Sequence, residues 1–203
     1  MTDLYAMENE WRAKGFNTVC GVDEAGRGPL AGSVFAAAVV LPQELVLPGL
    51  DDSKKLSAKR REALFAEITA KAAAYRVASA SVAEIAELNI LEASQLAMRR
   101  AVESLGIEPD VILVDGSIAR GFSRPTHCVV GGDGLCAAIA AASVQAKVSR
   151  DAYMLELAEQ YPQYGFERHM GYGTALHRQK LLEHGPCPAH RALFLRKILG
   201  GPA

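Results

Sequence analysis

Short unbroken apolar runs alternate along the chain with stretches of helical spacing, and the two patterns divide it into elements. Residues 17–22 (NTVCGV) predict a short strand leading into Asp23, Glu24 and the glycine-rich turn GRGPLAG. Residues 33–41 (SVFAAAVVL) predict a second, buried strand that Pro42 ends. Residues 48–56 predict a loop. Ser57 is placed to cap a helix running to about Ala74, with Leu64, Phe65 and Ile68 on one face. A third strand is predicted over 75–80. The spacing Ser81-x-x-Glu84 fits a capping box and opens a helical region to about Leu105, which Gly106 and Pro109 close. Residues 111–115 (VILVD) predict a strand closed by an acid, and 126–130 predict another. The alanine-rich stretch from Leu135 to about Gln160 predicts a long helix. Thr174 caps a further helix that ends near Gly185, and residues 188–199 predict a last short one.

Strands first, then helices interleaved with strands, predict an α/β domain with a mixed sheet. The 203 residues are expected to form a single domain, in which about 161–203 are a helical extension. Half the residues are apolar and 22% are charged, which excludes a disordered or fibrous chain. Lysine plus arginine is 22 and aspartate plus glutamate is 23, so the net charge is −1. No global basic field attracts nucleic acid, and any such binding has to rest on a local patch. The four cysteines form no C-x-x-C pair and no zinc spacing, so a reduced, cytoplasmic compartment is expected. The longest apolar stretches, 34–41 and 135–142, fall far short of the roughly 20 residues that span a bilayer. The first fifteen residues lack an apolar core of the signal-peptide kind.

Three acids stand at the ends of predicted elements. Asp23, with Glu24 beside it, follows the first strand; Asp115 closes VILVD; Asp133 sits in GGDG before the alanine-rich helix. Singly, each reads as a turn or capping residue. Strand neighbours point to opposite faces, so Asp23 and Glu24 serve one site only if the backbone turns there, as the glycines of Gly26-Arg27-Gly28 permit. Four unpaired carboxylates brought together would repel and raise one another's pKa values. Divalent cations between them remove that cost, and hard oxygen ligands with open positions suit Mg²⁺ or Mn²⁺. Two such ions can activate a water and stabilise the leaving oxygen of a phosphodiester.

The basic candidates are local. Lys54 and Lys55 lie in the loop DDSKK and could hold a phosphate. Ser143, Lys147 and Arg150 recur at helical spacing, as a stripe facing either a nucleic-acid backbone or solvent. Gly171-Tyr172-Gly173-Thr174 presents an aromatic ring that can stack on a sugar or base, and His169 beside Met170 reads as structural. No G-x-x-x-x-G-K-[ST], G-x-G-x-x-G, H-E-x-x-H or G-x-S-x-G occurs, so nucleotide kinases, Rossmann dehydrogenases, zincins and serine hydrolases lose their usual support.

Taken together, GVDEAGRGPLAG (21–32), DDSKKLS (51–57), ELNILEASQLAM (87–98), ILVDG (112–116), GGD (131–133), AASVQAKVSRD (141–151) and GYGT (171–174) closely resemble bacterial ribonuclease HII, in the same order and over nearly the whole chain. The resemblance implies an RNase H-like fold, a central mixed sheet flanked by helices with a helical C-terminal extension. It implies an endonuclease that cuts the RNA strand of RNA–DNA hybrids. It also implies incision 5′ to single ribonucleotides in duplex DNA, leaving a 3′-hydroxyl and a 5′-phosphate. By the same resemblance, Asp23, Glu24, Asp115 and Asp133 match the metal-site acids. Gly26, Arg27 and Gly28 match the element that reads the ribonucleotide's 2′-hydroxyl, and Tyr172 the ring beside the junction deoxyribose. Lys54 and Lys55 fall in the phosphate-contacting loop, with Lys147 a further substrate-side candidate. Met170 stands where the family often has lysine, and Gln145 where it usually has an aliphatic residue. A monomer is expected. A sliding clamp is an open partner, since no C-terminal Gln-led clamp motif is present. Two other readings compete. A non-catalytic hybrid-binding module would gain nothing from a negative cluster, and a small-molecule phosphotransferase would need a nucleotide-cradling loop that is absent.

Overall fold

The computed structural model describes residues 3–200. Its centre is a five-stranded sheet of β1 (Val19–Ala25), β2 (Val34–Val40), β3 (Ala74–Ala80), β4 (Val111–Asp115) and β5 (Thr126–Val129), in the order β3-β2-β1-β4-β5. β2 runs antiparallel to both β1 and β3, whereas β4 runs parallel to both β1 and β5. The expected mixed sheet is therefore present, with β1 in the middle.

Alternation along β1 sorts the core into two layers. Val19 faces a cluster built with α5 (Ala137–Gln160) and α2 (Ala58–Lys71). Cys20 and Val22 face a second cluster, built with α3 (Val82–Leu88) and α4 (Ile90–Glu103). Small residues let α5 come close. Its first turns are alanines around Ile139, and a Cβ placed on Gly21 of β1 would lie 2.1 Å from the Ala138 carbonyl carbon and 2.3 Å from the Ile139 nitrogen.

The structure differs from the sequence reading in several places. β1 begins two residues later than predicted and runs on through Asp23, Glu24 and Ala25. The helical region predicted over 81–105 is broken at Asn89 (φ 70°), whose Oδ1 accepts from the backbone N–H groups of Leu91 and Glu92 and so starts α4 afresh. The capping box at Ser81 and Glu84 forms as predicted. The reading placed no element before residue 17, yet α1 (Ala6–Ala13) forms there. Leu4, Met7 and Trp11, at helical spacing, pack against the α5 side of the core. Buried Glu8 accepts the Ala138 N–H at 2.7 Å, satisfying the start of α5, where Cys136 provides no side-chain cap.

The C-terminal helices α6 (Phe166–His169), α7 (Ala175–His184) and α8 (Ala192–Leu199) gather around a third cluster that includes Leu30, Met154, Tyr164, Phe166, Leu181 and Leu195. Met170 packs at the edge of this cluster with a left-handed backbone (φ 48°). Gln145 also gains a physical account. It is buried between α5 and α2, and its amide donates to the Phe65 carbonyl (3.1 Å) and the Thr69 hydroxyl (3.3 Å), tying the two helices together. Among the described residues no helix is long and apolar enough to cross a membrane.

Candidate active site

Strand register brings the first two acids together. Val22 pairs with Val114, so the next residues, Asp23 and Asp115, stand side by side at the ends of parallel strands. The Asp115 carboxylate accepts the Gly132 N–H at 2.7 Å and thereby pins the GGD turn, a single 3-10 turn at 132–134, against the end of β4. Asp133 lies in that turn, so its position depends on Asp115. It does not cap α5, contrary to the bland reading of its sequence position. The result is that Asp23, Asp115 and Asp133 each offer an oxygen within 4.8 Å of the others.

Glu24 stands apart from this trio. Both Asp23 and Glu24 remain in strand pairing with β2, so the backbone does not turn between them, and the expectation that a turn would be needed is corrected. β4 ends level with Asp23, and Glu24 reaches the same cavity from the other side of the sheet edge, held by Arg27 at 3.3 Å. Burial pushes Asp23 well above the usual carboxylate range, with the Glu24 and Asp115 charges adding to it. Burial also raises Glu24, against the pull of Arg27, and raises Asp133, with Asp52 adding to it.

Such a cluster is held together poorly by the protein alone. Lys54 reaches in from its exposed loop, Nζ 3.3 Å from Asp133 Oδ2, a tethered cation over a site that calls for more positive charge. The donor set is all carboxylate oxygen, with its inner members buried and one side open to a cavity. That set fits Mg²⁺ or Mn²⁺ and not a thiolate- or imidazole-seeking metal.

The cavity holds about 240 Å³. Asp23, Glu24 and Asp115 line it together with Gly26, Arg27, Gly28, Tyr172, Lys54 and Lys147, and Asp133 adjoins it through Asp23 and Asp115. Lys55 is not among the lining residues and pairs with Asp51 at 3.2 Å in the loop. Lys147 lines the cavity while bonded to both oxygens of Asp151. The predicted stripe along α5 thus splits. Ser143 is buried, its hydroxyl 2.7 Å from that of Ser53, and helps stabilise ionised Asp23. Arg150 is buried too and faces protein backbone, neither nucleic acid nor solvent.

The Tyr172 turn is braced from behind by histidines that the sequence reading left out, apart from His169. Tyr172 is half exposed, its ring close to Gly28. The Tyr172 carbonyl can only accept, so His177 Nδ1 (2.9 Å) carries the proton. His177 Nε2 then accepts from His190 Nε2 at 3.0 Å, and His190 Nδ1 accepts the Cys187 N–H. His169 stacks on His177 and bonds the Tyr164 carbonyl, a bracing role and not a proton shuttle in the cavity. No sequence spacing signals this cluster, because its members meet only after α7 has turned back.

Burial holds all three rings below the ordinary histidine range, His190 down to about 4. A base whose folded pKa is depressed favours the native state above its unfolded pKa, near 6.5. That contribution is lost as pH falls through the window down to the folded value. Unfolding at pH 7 and pH 4.5 is therefore expected to show a loss on the order of 2 kcal/mol from His190 alone. The raised carboxylates act in the opposite direction, so the readout is the difference between wild type and His190→Gln in urea melts. An equal pH slope in both proteins would refute it.

Comparison with known proteins agrees with this geometry. The Ribonuclease HII family matches residues 20–197. A ribonuclease HII of Burkholderia thailandensis is 57% identical over 176 residues, covering 87% of this chain and 82% of that protein. The crystal structure of ribonuclease H2 from Pyrococcus horikoshii OT3 superposes with a TM-score of 0.74 at 27% identity, covering 89% of this chain and 96% of that one. The ribonuclease HII in a PCNA complex from Archaeoglobus fulgidus shares the fold at a TM-score of 0.71 and 24% identity, with coverage of 86% and 93%. The sheet with its flanking helices is thus an RNase H-like fold. With a family match over most of its length and a relative 57% identical over 87% of it, this chain belongs to the ribonuclease HII family, metal-dependent ribonucleases that cleave the RNA of RNA–DNA hybrids.

Proposed function

We propose that the protein incises the strand 5′ to a single ribonucleotide embedded in duplex DNA, as well as the RNA strand of hybrids, leaving a 3′-hydroxyl and a 5′-phosphate. The observation that carries this reading is one cavity lined by Asp23 and Asp115, which cluster with Asp133, and also by Gly26, Arg27, Gly28 and Tyr172.

Asp23, Asp115 and Asp133 would hold divalent cations, with Glu24 joining from across the sheet edge. What Mg²⁺ or Mn²⁺ supplies there is an activated water and neutralisation of charge on the phosphate and the leaving 3′-oxygen. The protein's own residues orient the strand. Gly26 to Gly28 bring backbone N–H groups close to the sugar, where the 2′-hydroxyl distinguishes RNA from DNA. Tyr172 offers its exposed face to the adjoining deoxyribose. Lys54 and Lys147 in the cavity lining contact phosphates and add affinity without sequence preference. The net charge of −1 makes this local basic pair the electrostatic contact with the duplex.

A labelled duplex with one ribonucleotide tests the assignment. The expected product is a single cut on the 5′ side of that ribonucleotide, dependent on Mg²⁺ or Mn²⁺ and abolished by EDTA. Cutting on the 3′ side, or equal cutting of an all-DNA duplex, would overturn it.

A further inference from the structure

Two arginines sit behind the loop of residues 26–33, both almost fully buried. Neither Arg150 on α5 nor Arg191 just before α8 pairs with a carboxylate among the described residues. A buried cation without an anion is costly unless hydrogen bonds replace its water. Here backbone carbonyls do so. Arg191 donates to the carbonyls of Gly26 (2.7 Å), Arg27 (3.0 Å), Pro29 (3.0 Å) and Gly32 (2.8 Å). Arg150 donates to those of Ala31 (3.2 Å), Ser33 (3.4 Å) and Met170 (3.1 Å), the last beside the Tyr172 turn. Gly26 makes room for this. Its φ is +98°, and a Cβ there would lie 2.0 Å from Arg150 Nε.

A peptide's carbonyl and the next residue's N–H point in opposite directions. With the Gly26 and Arg27 carbonyls drawn back onto Arg191, the N–H groups of Arg27 and Gly28 are turned the other way, toward the cavity that these residues line. Neither N–H has a backbone partner among the described residues.

We propose that Arg191 and Arg150 are positioning residues for ribonucleotide selection: Arg191 clamps the carbonyls of the 26–28 turn so that its N–H groups are presented to the sugar, and Arg150 packs against Gly26 while holding the carbonyls of Ala31, Ser33 and Met170 on either side of that turn. Neither arginine lines the cavity, so both act through the turn. The inference rests on the reading of that turn given under Proposed function.

The test is binding in EDTA, where no cleavage occurs. Two labelled duplexes of one sequence are compared, one all-DNA and one with a single ribonucleotide. The readout is the ratio of their dissociation constants. Wild type is expected to prefer the ribonucleotide duplex. Arg191→Lys keeps the charge, but its ammonium cannot span four carbonyls, and about a tenfold loss of the ratio is expected with all-DNA affinity nearly unchanged. Arg150→Lys probes the same loop from α5, through its packing on Gly26 and its bonds to Ala31 and Ser33, so if one variant fails to fold the other decides. Millimolar guanidinium is expected to restore the ratio in Arg191→Ala. A folded variant that keeps the wild-type ratio, or that weakens both duplexes equally, overturns the clamp. A wild type with no preference overturns the reading of the turn itself, and the clamp with it.

Discussion

Asp115→Asn is expected to lower the cleavage rate about a thousandfold or more, roughly 4 kcal/mol of barrier, without loss of the fold. The side chain has two jobs that this substitution separates. Its Oδ1 accepts the Gly132 N–H and holds the turn that carries Asp133, and an asparagine oxygen can still do so. Its charge is one of three carboxylates within 4.8 Å, and asparagine removes it. Loss of one negative charge from a buried, repelling cluster has a second consequence. The metal-free variant is expected to melt at the same temperature as wild type or a few degrees higher, and Mn²⁺ is expected to raise its melting temperature less than that of wild type. Cleavage assays and thermal melts with and without Mn²⁺ measure both. A purified Asp115→Asn protein that cuts at the wild-type rate would remove Asp115 from the chemistry.

Gly21→Ala is expected to produce the largest loss of stability, on the order of 4 kcal/mol, from a single added methyl group. The added carbon meets main chain of α5 at 2.1–2.5 Å, and main chain inside a helix cannot rotate away as a flexible side chain would. Relief requires lifting α5 from β1, and α5 carries Ser143 and Lys147 to the cavity. A domain of this size has about 5–15 kcal/mol in total, so much of the protein would be unfolded or misassembled near its working temperature. Gly106→Ala is the comparison, since open space surrounds that position and only its φ of +78° opposes the change. Urea denaturation of the two variants should rank Gly21→Ala far below Gly106→Ala; similar midpoints would show that α5 is not wedged against the strand.

Much of the molecule was readable from short stretches of chain. The apolar runs of β2 and β4 carry their burial on their face, and the caps at Ser57, Ser81 and Thr174 form as their spacing predicts. The acids at element ends were visible one by one, their shared placement suggested a common metal site, and the family resemblance matched all four to one. α1 was missed although Leu4, Met7 and Trp11 have helical spacing, because its polar residues dominate so short a segment. Asn89 was missed because a residue with positive φ inside a helical pattern leaves no periodic trace.

Local sequence therefore accounts for which segments become strands or helices, where several of them start, and which acids lie at their ends, since those depend on neighbours a few residues away. Folding alone settled that Glu24 approaches from the far side of the sheet edge while Asp23, Asp115 and Asp133 converge. It also settled that Lys54 rather than Lys55 reaches the cavity, and that Arg150 and Arg191 grip protein carbonyls. The reason is that strand register, the path of a loop and the partner of a buried charge are contacts between residues tens to more than a hundred and fifty positions apart, which no local spacing encodes.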